Sequence, residues 1–304
     1  MKFAIFGSGF GLYGYLPALM TGCRQTVCLP ERYRTIVADR PDVGRFGDVI
    51  EWQPDDEAAL NAAEAVVVSR RPADQLELIR AGAGKRNIRA LLLEKPLAPS
   101  PQLAAEALDL LDSSGKTFRI GYNFRFTPWA VALKRELRTF AATDLLNIDW
   151  QFRAHHYAHD VRNWKRTVSE GGGALRFFGI HLVGLLAEFG YDEVVRSESK
   201  AAALDECETW TAVFKGPGLP ECSVRVASNA AATRFSIDRV GQHGRAEPVV
   251  SLGDPFESSV VAGDFDRRFA ILTEVCRDLI DDPATSYPWY RQSVRLWEQA
   301  ESLS

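Results

Sequence analysis

Across residues 1–122 short apolar runs alternate with longer segments of helical spacing. The runs at 2–6, 25–29, 48–52, 65–68, 91–98 and 117–122 predict six strands. Helices are predicted between them: 15–20, 55–63 with acidic residues in its first turn, 73–83 opening at Pro72, and 101–114 stopped by Gly115. Strand and helix in alternation predict an α/β domain, a Rossmann-like, doubly wound parallel sheet. Beyond residue 122 the pattern changes. Helical spacing at 129–140 is followed by strand-like alternation at 145–154, 210–214, 221–228 and 233–240, with turns such as Gly216-Pro217-Gly218. A glycine run, Gly171-Gly172-Gly173, opens an apolar segment that reads as a buried helix, and 266–281 and 290–302 read as two closing helices around Asp282-Pro283. The domains expected are therefore 1–122 and 123–304.

Composition narrows the function classes. The chain has 304 residues, 46% hydrophobic and 25% charged, which is ordinary for a soluble protein and long enough for two domains. A formal net charge of −4 argues against a general nucleic-acid binder. Cys23, Cys28, Cys207, Cys222 and Cys276 are scattered, odd in number and form no CxxC, so reduced thiols in a cytoplasmic protein are expected rather than a disulfide framework or a zinc site. No apolar run approaches membrane-spanning length, and the glycines from Gly7 onward interrupt the apolar N-terminus too early for a signal peptide. No membrane partner is expected.

Two stretches carry candidate chemistry. Gly7-Ser8-Gly9-Phe10-Gly11 follows the first strand and opens a helix, the arrangement that cradles a dinucleotide. Gly7 permits a tight turn, Gly9 lets backbone approach a pyrophosphate, and free N–H groups at the helix start face the anion. Gly7-x-Gly9-x-x puts Leu12 at the third glycine position, whereas Gly9-x-Gly11-x-x-Gly14 matches but begins late. After the second strand, Glu31 suits a ribose 2′-hydroxyl and Arg32 a 2′-phosphate, so NAD and NADP both remain open. Ser69, Arg70, Arg71 and Gln75, after the fourth strand, are candidates to border the same cofactor. The second stretch is Leu91-Leu92-Leu93-Glu94-Lys95-Pro96-Leu97-Ala98. Pro96 stops the strand, so Glu94 and Lys95 fall at its carboxyl end, where open α/β sheets bind ligands. A lysine at such a place needs a partner, a ligand or a cleft.

Taken together, the early glycine turn, Glu94-Lys95-Pro96-Leu97-Ala98 and Gly121-Tyr122-Asn123-Phe124-Arg125-Phe126 resemble the Gfo/Idh/MocA family of NAD(P)-dependent oxidoreductases. The resemblance covers nearly the whole chain. It implies a second, α+β domain with an open, mostly antiparallel sheet, and an exposed sheet face used for a homodimer or homotetramer. It implies hydride transfer between nicotinamide and a carbon of a sugar, nucleotide-sugar or related polyol or keto substrate. The lysine matching Lys95 would point at the nicotinamide and the reacting carbon, and Glu94 and Asn123 would line the cleft. Lys95 and His181 are the catalytic candidates; Lys95, Asn123, Arg125, Trp164, Phe177 and His181 are the substrate candidates.

This chain departs from the family pattern at two positions. The family's buried helix carries an aspartate one turn before the histidine and often another three residues after it. Here Phe177 and Gly184 stand there, while His181 is kept. His181 could still act as general acid or base. The departure motivates two alternatives: a dinucleotide-binding sensor or partner subunit with little catalysis, and a reductase for an apolar or unsaturated substrate. His155-His156-Tyr157-Ala158-His159 superficially suggests a metal site, with His156 and His159 on one helix face, but no metal is expected.

Overall fold

The computed structural model describes residues 1–201, 203–241, 244–257 and 265–304. Two compact units form, and neither is continuous in sequence. The first takes residues 1–97, 106–126 and 259–287, the second 98–105, 127–258 and 288–304.

The first unit is built on β1 (Lys2–Phe6), β2 (Thr26–Pro30), β3 (Glu51–Gln53), β4 (Ala65–Val68), β5 (Ala90–Leu93) and β6 (Thr117–Ile120). Their spatial order is β3-β2-β1-β4-β5-β6, with every pairing parallel. This is the doubly wound order, which reverses direction between β1 and β4. Both faces are covered, which is why the strands read as continuous apolar runs rather than alternating ones. One face buries Phe3, Ile5, Val27, Leu29, Val67 and Leu92 against Leu12, Tyr15 and Leu19 of the segment after the glycine turn. Leu272, Val275, Cys276 and Leu279 of the helix Phe269–Asp281 complete that core. The opposite face takes the helix Pro72–Gly84, where a Cβ on Gly82 would lie 3.1 Å from Leu91.

The second unit holds β7 (Leu145–Arg153), β8 (Glu193–Lys200), β9 (Thr209–Lys215), β10 (Glu221–Ala227), β11 (Asn229–Val240) and β12 (Ala246–Leu252) in the order β12-β11-β7-β10-β9-β8. Only β7 and β10 pair in parallel; the other pairings are antiparallel. Leu146, Ile148, Trp150, Val224, Val226 and Phe235 point into the core, whereas Asn147, Asp149 and Gln151 alternate outward. The expected open, mostly antiparallel sheet is therefore present.

One sequence expectation needs correction. The helical run Val168–Phe189 is, by length and composition, apolar enough to cross a membrane. Arg176 interrupts the apolar letters, which hides the run from a simple scan. In the fold 72% of its most apolar window is buried inside protein, as in a core helix.

Candidate functional site

The parallel ladder of the first sheet continues one residue past the strands. Ser69 N–H donates to the Phe6 carbonyl at 2.8 Å, Glu94 N–H to Val68 at 2.9 Å, and Gly121 N–H to Leu93 at 2.8 Å. Ser69, Glu94 and Gly121 thus sit with Gly7 in one row along the carboxyl edge of β1, β4, β5 and β6. Gly7 has φ +146°, and a Cβ there would lie 2.1 Å from the Ser69 carbonyl oxygen. No other residue fits. Its N–H donates to the Tyr33 hydroxyl at 3.1 Å. Ser8 and Gly9 are exposed, and a Cβ on Gly9 would meet nothing within 4 Å. The turn then enters wide helical turns at Gly11–Tyr15, with Leu12 and Tyr13 N–H both on the Gly9 carbonyl.

Glu94 is 8% exposed. Tyr15 donates its hydroxyl to Glu94 Oε1 at 2.5 Å, and Lys95 N–H reaches Oε2 at 3.3 Å. Burial pushes the Glu94 carboxyl up, opposed by the Lys95 charge, the Tyr15 hydrogen bond and the Arg268 charge. Burial and the Glu94 carboxylate push Tyr15 well above the ordinary tyrosine range. Gly121 accommodates this pair: a Cβ there would stand 2.7 Å from the Tyr15 hydroxyl and 2.9 Å from Glu94 Oε1. Lys95 is half-buried and joined to Pro96 by a cis peptide bond. Gln75 is fully buried and donates to the Pro96 carbonyl at 2.7 Å and the Glu94 carbonyl at 3.1 Å. Asn123 is 2% exposed, and its Oδ1 has no hydrogen-bond partner.

At the end of β2, Glu31 is exposed and pairs with Arg34, which holds its carboxyl below the usual range. Arg32 pairs with Asp56, donates to Tyr33 and lies 4.7 Å over the Tyr33 ring. Arg70 and Arg71 are exposed. Arg125 pairs with Asp278 at 3.0 Å and lies between the Phe126 and Tyr287 rings.

In the second unit, wide turns at Ala174–Gly179 lead into the helix Ile180–Phe189. Phe177 precedes His181 by four residues on this run, and His181 is 6% exposed. Trp164 meets Phe177 edge to face, with centroids 5.2 Å apart. His156 does not share a face with His159: it is buried, while the His155 and His159 rings lie 4.4 Å apart. The reason is burial: the short helix His155–Ala158 turns His156 and Tyr157 inward, where the His156 ring lies 6.1 Å from Phe178, and leaves His155 and His159 exposed. Among the described residues, no three His, Cys, Asp or Glu side chains gather as metal ligands would.

No protein-family model matches the sequence, and no curated protein matches it. Solved structures match along almost the whole chain. Myo-inositol 2-dehydrogenase from Lactobacillus plantarum superposes with a TM-score of 0.75 at 13% identity, over 99% of this chain and 96% of that one. GenD2 from gentamicin A biosynthesis, crystallised with NAD, gives 0.72 at 18% identity over 99% and 92%. The WlbA dehydrogenase from Thermus thermophilus, in complex with NAD and UDP-GlcNAcA, gives 0.70 at 17% identity over 100% and 95%. The chain has the Gfo/Idh/MocA fold.

Within that fold the first sheet gathers Gly7, Ser8, Gly9, Ser69, Glu94, Lys95 and the segment after Gly121 at one edge, as the sequence implies. Other candidates are drawn inward or engaged by protein. Gln75 spends its amide on backbone carbonyls, the Glu94 carboxylate is held by Tyr15, and Arg125 is clamped by Asp278. Sequence reading missed Tyr15, Tyr33 and Asp278, because none belongs to a motif and each acts across a long stretch of chain.

Proposed function

We propose that this protein is an NAD(P)-dependent oxidoreductase that passes a hydride between a nicotinamide and a carbon of a sugar, nucleotide-sugar or related polyol or keto substrate. The observation that carries the reading is the carboxyl edge of the first sheet. Gly7 closes on Ser69 while Gly9 leaves open space beside it, so backbone N–H groups can meet a pyrophosphate with no side chain in the way. The first unit would hold the dinucleotide, with Glu31 or Arg32 meeting its ribose. The second would hold the substrate and face a second copy in a homodimer or homotetramer. The inositol and nucleotide-sugar dehydrogenases that share the fold support the substrate class. The free thiols of all five cysteines support a cytoplasmic setting.

When bound, the nicotinamide supplies the hydride acceptor or donor. Lys95 is the group assigned to the reacting oxygen. Its ammonium would steady and polarise that oxygen, in a loop fixed by Gln75 and Glu94. His181 is assigned to exchange the substrate proton, since an imidazole can serve as general acid or base. Asn123, with a buried Oδ1 lacking a partner, offers an acceptor for ligand. Absorbance at 340 nm with NAD(H), then NADP(H), across sugars, cyclitols and nucleotide-sugars tests the reading. We expect turnover in the native chain, and cofactor binding without turnover in Lys95→Ala. Turnover near the native rate in Lys95→Ala would remove Lys95 from the chemistry. Cofactor binding with no turnover on any of the panel would favour a sensor.

A further inference from the structure

Within the first unit, the wide helical turns at Ala18–Gly22 lie against the helix Phe269–Asp281. The approach is close. A Cβ on Gly22 would collide with the Thr273 side chain, and Arg277 donates to the Gly22 carbonyl at 3.3 Å. Cys23 comes next, with its N–H on the Ala18 carbonyl at 2.9 Å and its thiol on the Thr273 carbonyl at 3.6 Å. Thr273, Cys276 and Arg277 are spaced three and four residues apart, so they share the helix face that meets Gly22 and Cys23. On that face the Cys276 thiol hydrogen-bonds the Cys23 sulfur, and both cysteines are free.

The two thiols differ in a way that divides the work. Cys23 is half-buried. The Cys276 hydrogen bond lowers its pKa, helped by the Arg277 charge and opposed by burial and by Asp281 and Glu274. Cys276 is fully buried, and burial pushes its thiol well above the ordinary range. Burial raises Cys28 and Cys222 as well. The thiolate, not the thiol, attacks an oxidant, and it must be reachable. An accessible cysteine of lowered pKa beside a second thiol is the arrangement of a redox sensor.

We propose that Cys23 and Cys276 are a reversible redox pair, which closes into a disulfide when the protein meets a hydroperoxide and clamps the segment after the glycine turn to the helix Phe269–Asp281. The Cys23 thiolate attacks one peroxide oxygen and the O–O bond breaks. Cys23 becomes a sulfenic acid, and the departing oxygen takes up the proton that the thiol released. The Cys276 sulfur then attacks the Cys23 sulfur. The S–S bond forms, the S–O bond breaks, and the Cys276 proton leaves with that oxygen as water. The sulfurs lose two electrons in all and the peroxide gains them. A dithiol reopens the bond by exchange and is itself oxidised. Transient disulfides of this kind occur in reducing compartments, and the pair does not depend on the hydride-transfer reading.

Mass spectrometry on the full chain, reduced and then given a small excess of hydrogen peroxide, tests the proposal. We expect the loss of two hydrogens, one peptide pair linked through Cys23 and Cys276, and recovery of both thiols in dithiothreitol. Cys276→Ser should stop at a sulfenic acid on Cys23, trapped by dimedone. Cys23→Ser should consume peroxide about tenfold more slowly than the native chain. The bond joins residues far apart in sequence, so the oxidised native chain should unfold at higher urea than the reduced one, with no such rise in Cys23→Ser. No linked peptide, a link through other cysteines, or a closed bond that leaves the urea midpoint unchanged overturns the proposal. Equal peroxide consumption by the native chain and Cys23→Ser does so too. If Cys276→Ser fails to fold, the native peptide map and the half-buried Cys23→Ser variant decide.

Discussion

The side-chain amide of Gln75 donates to the carbonyl of Pro96 at 2.7 Å, from inside the helix Pro72–Gly84 to the loop that bears Lys95. The same nitrogen reaches the Glu94 carbonyl at 3.1 Å, so one buried group grips the backbone on both sides of the lysine. Gln75→Ala would strand these carbonyls and leave a void. We expect a loss of about 2–4 kcal/mol in urea unfolding. Gln75→Glu should cost more, since a carboxylate would face carbonyl oxygens without a donor. A Gln75→Ala protein as stable as the native chain would show that the loop is held by other means.

Glu94 sets a pH dependence. Its folded pKa is raised, mainly by burial. The unfolded chain therefore releases this proton at lower pH than the folded one. The native protein gains from the group below the ordinary glutamate pKa and loses that gain as pH rises through the raised value. Glu94→Gln keeps the shape and removes the titration. Unfolding free energies from about pH 4 to about pH 7 should then fall for the native chain relative to Glu94→Gln. Parallel curves would mean that Lys95 and Tyr15 fully offset the burial.

These two residues also show how far the sequence could be read. The apolar run before Glu94, the proline after Lys95 and the glycines after β1 announce a strand end and a turn, because these effects are local. The six strands of the first sheet were legible for the same reason, although β3 spans only Glu51–Gln53 rather than 48–52. What Gln75 and Glu94 touch was not legible, since Tyr15 lies 79 residues from Glu94 and Gln75 lies 21 from Pro96. The strands Glu193–Lys200 and Ala246–Leu252 also escaped notice. Both are sheet edges, and the first buries only Val194 and Ser197, so neither shows a clean alternation. The helix Phe269–Asp281 was read as a helix, but its share in the core of the first sheet depends on packing that no local pattern encodes.

His156 should make the protein acid-sensitive in the opposite sense to Glu94. Burial first, then the charges of Lys165 and Arg166, lowers its pKa to about 4. The unfolded imidazole takes up a proton near its ordinary value of about 6.5, while the folded one does not. The contribution is complete above that value and is lost as pH falls toward about 4. Between about pH 7 and about pH 4.5 the native chain should lose about 2–3 kcal/mol relative to His156→Phe, which keeps a ring without the titration. Urea unfolding at the two pH values measures it, and an equal loss in both proteins would show that His156 protonates freely in the fold.

Gly7 and Gly9 separate folding from binding at the same turn. At Gly7 an added Cβ would stand 2.1 Å from the Ser69 carbonyl oxygen in a backbone conformation with φ +146°. Gly7→Ala should therefore push β1 and β4 apart at their carboxyl ends and lower stability by at least about 2 kcal/mol. At Gly9 the added atom meets nothing within 4 Å. Gly9→Val should change stability by about 1 kcal/mol or less, yet fill the space a pyrophosphate needs. We expect its NADH affinity, followed by the rise in cofactor fluorescence on binding, to fall by roughly a hundredfold, the size of effect that follows when backbone can no longer approach the phosphates. A Gly9→Val protein that folds and still binds NADH like the native chain would place the cofactor elsewhere.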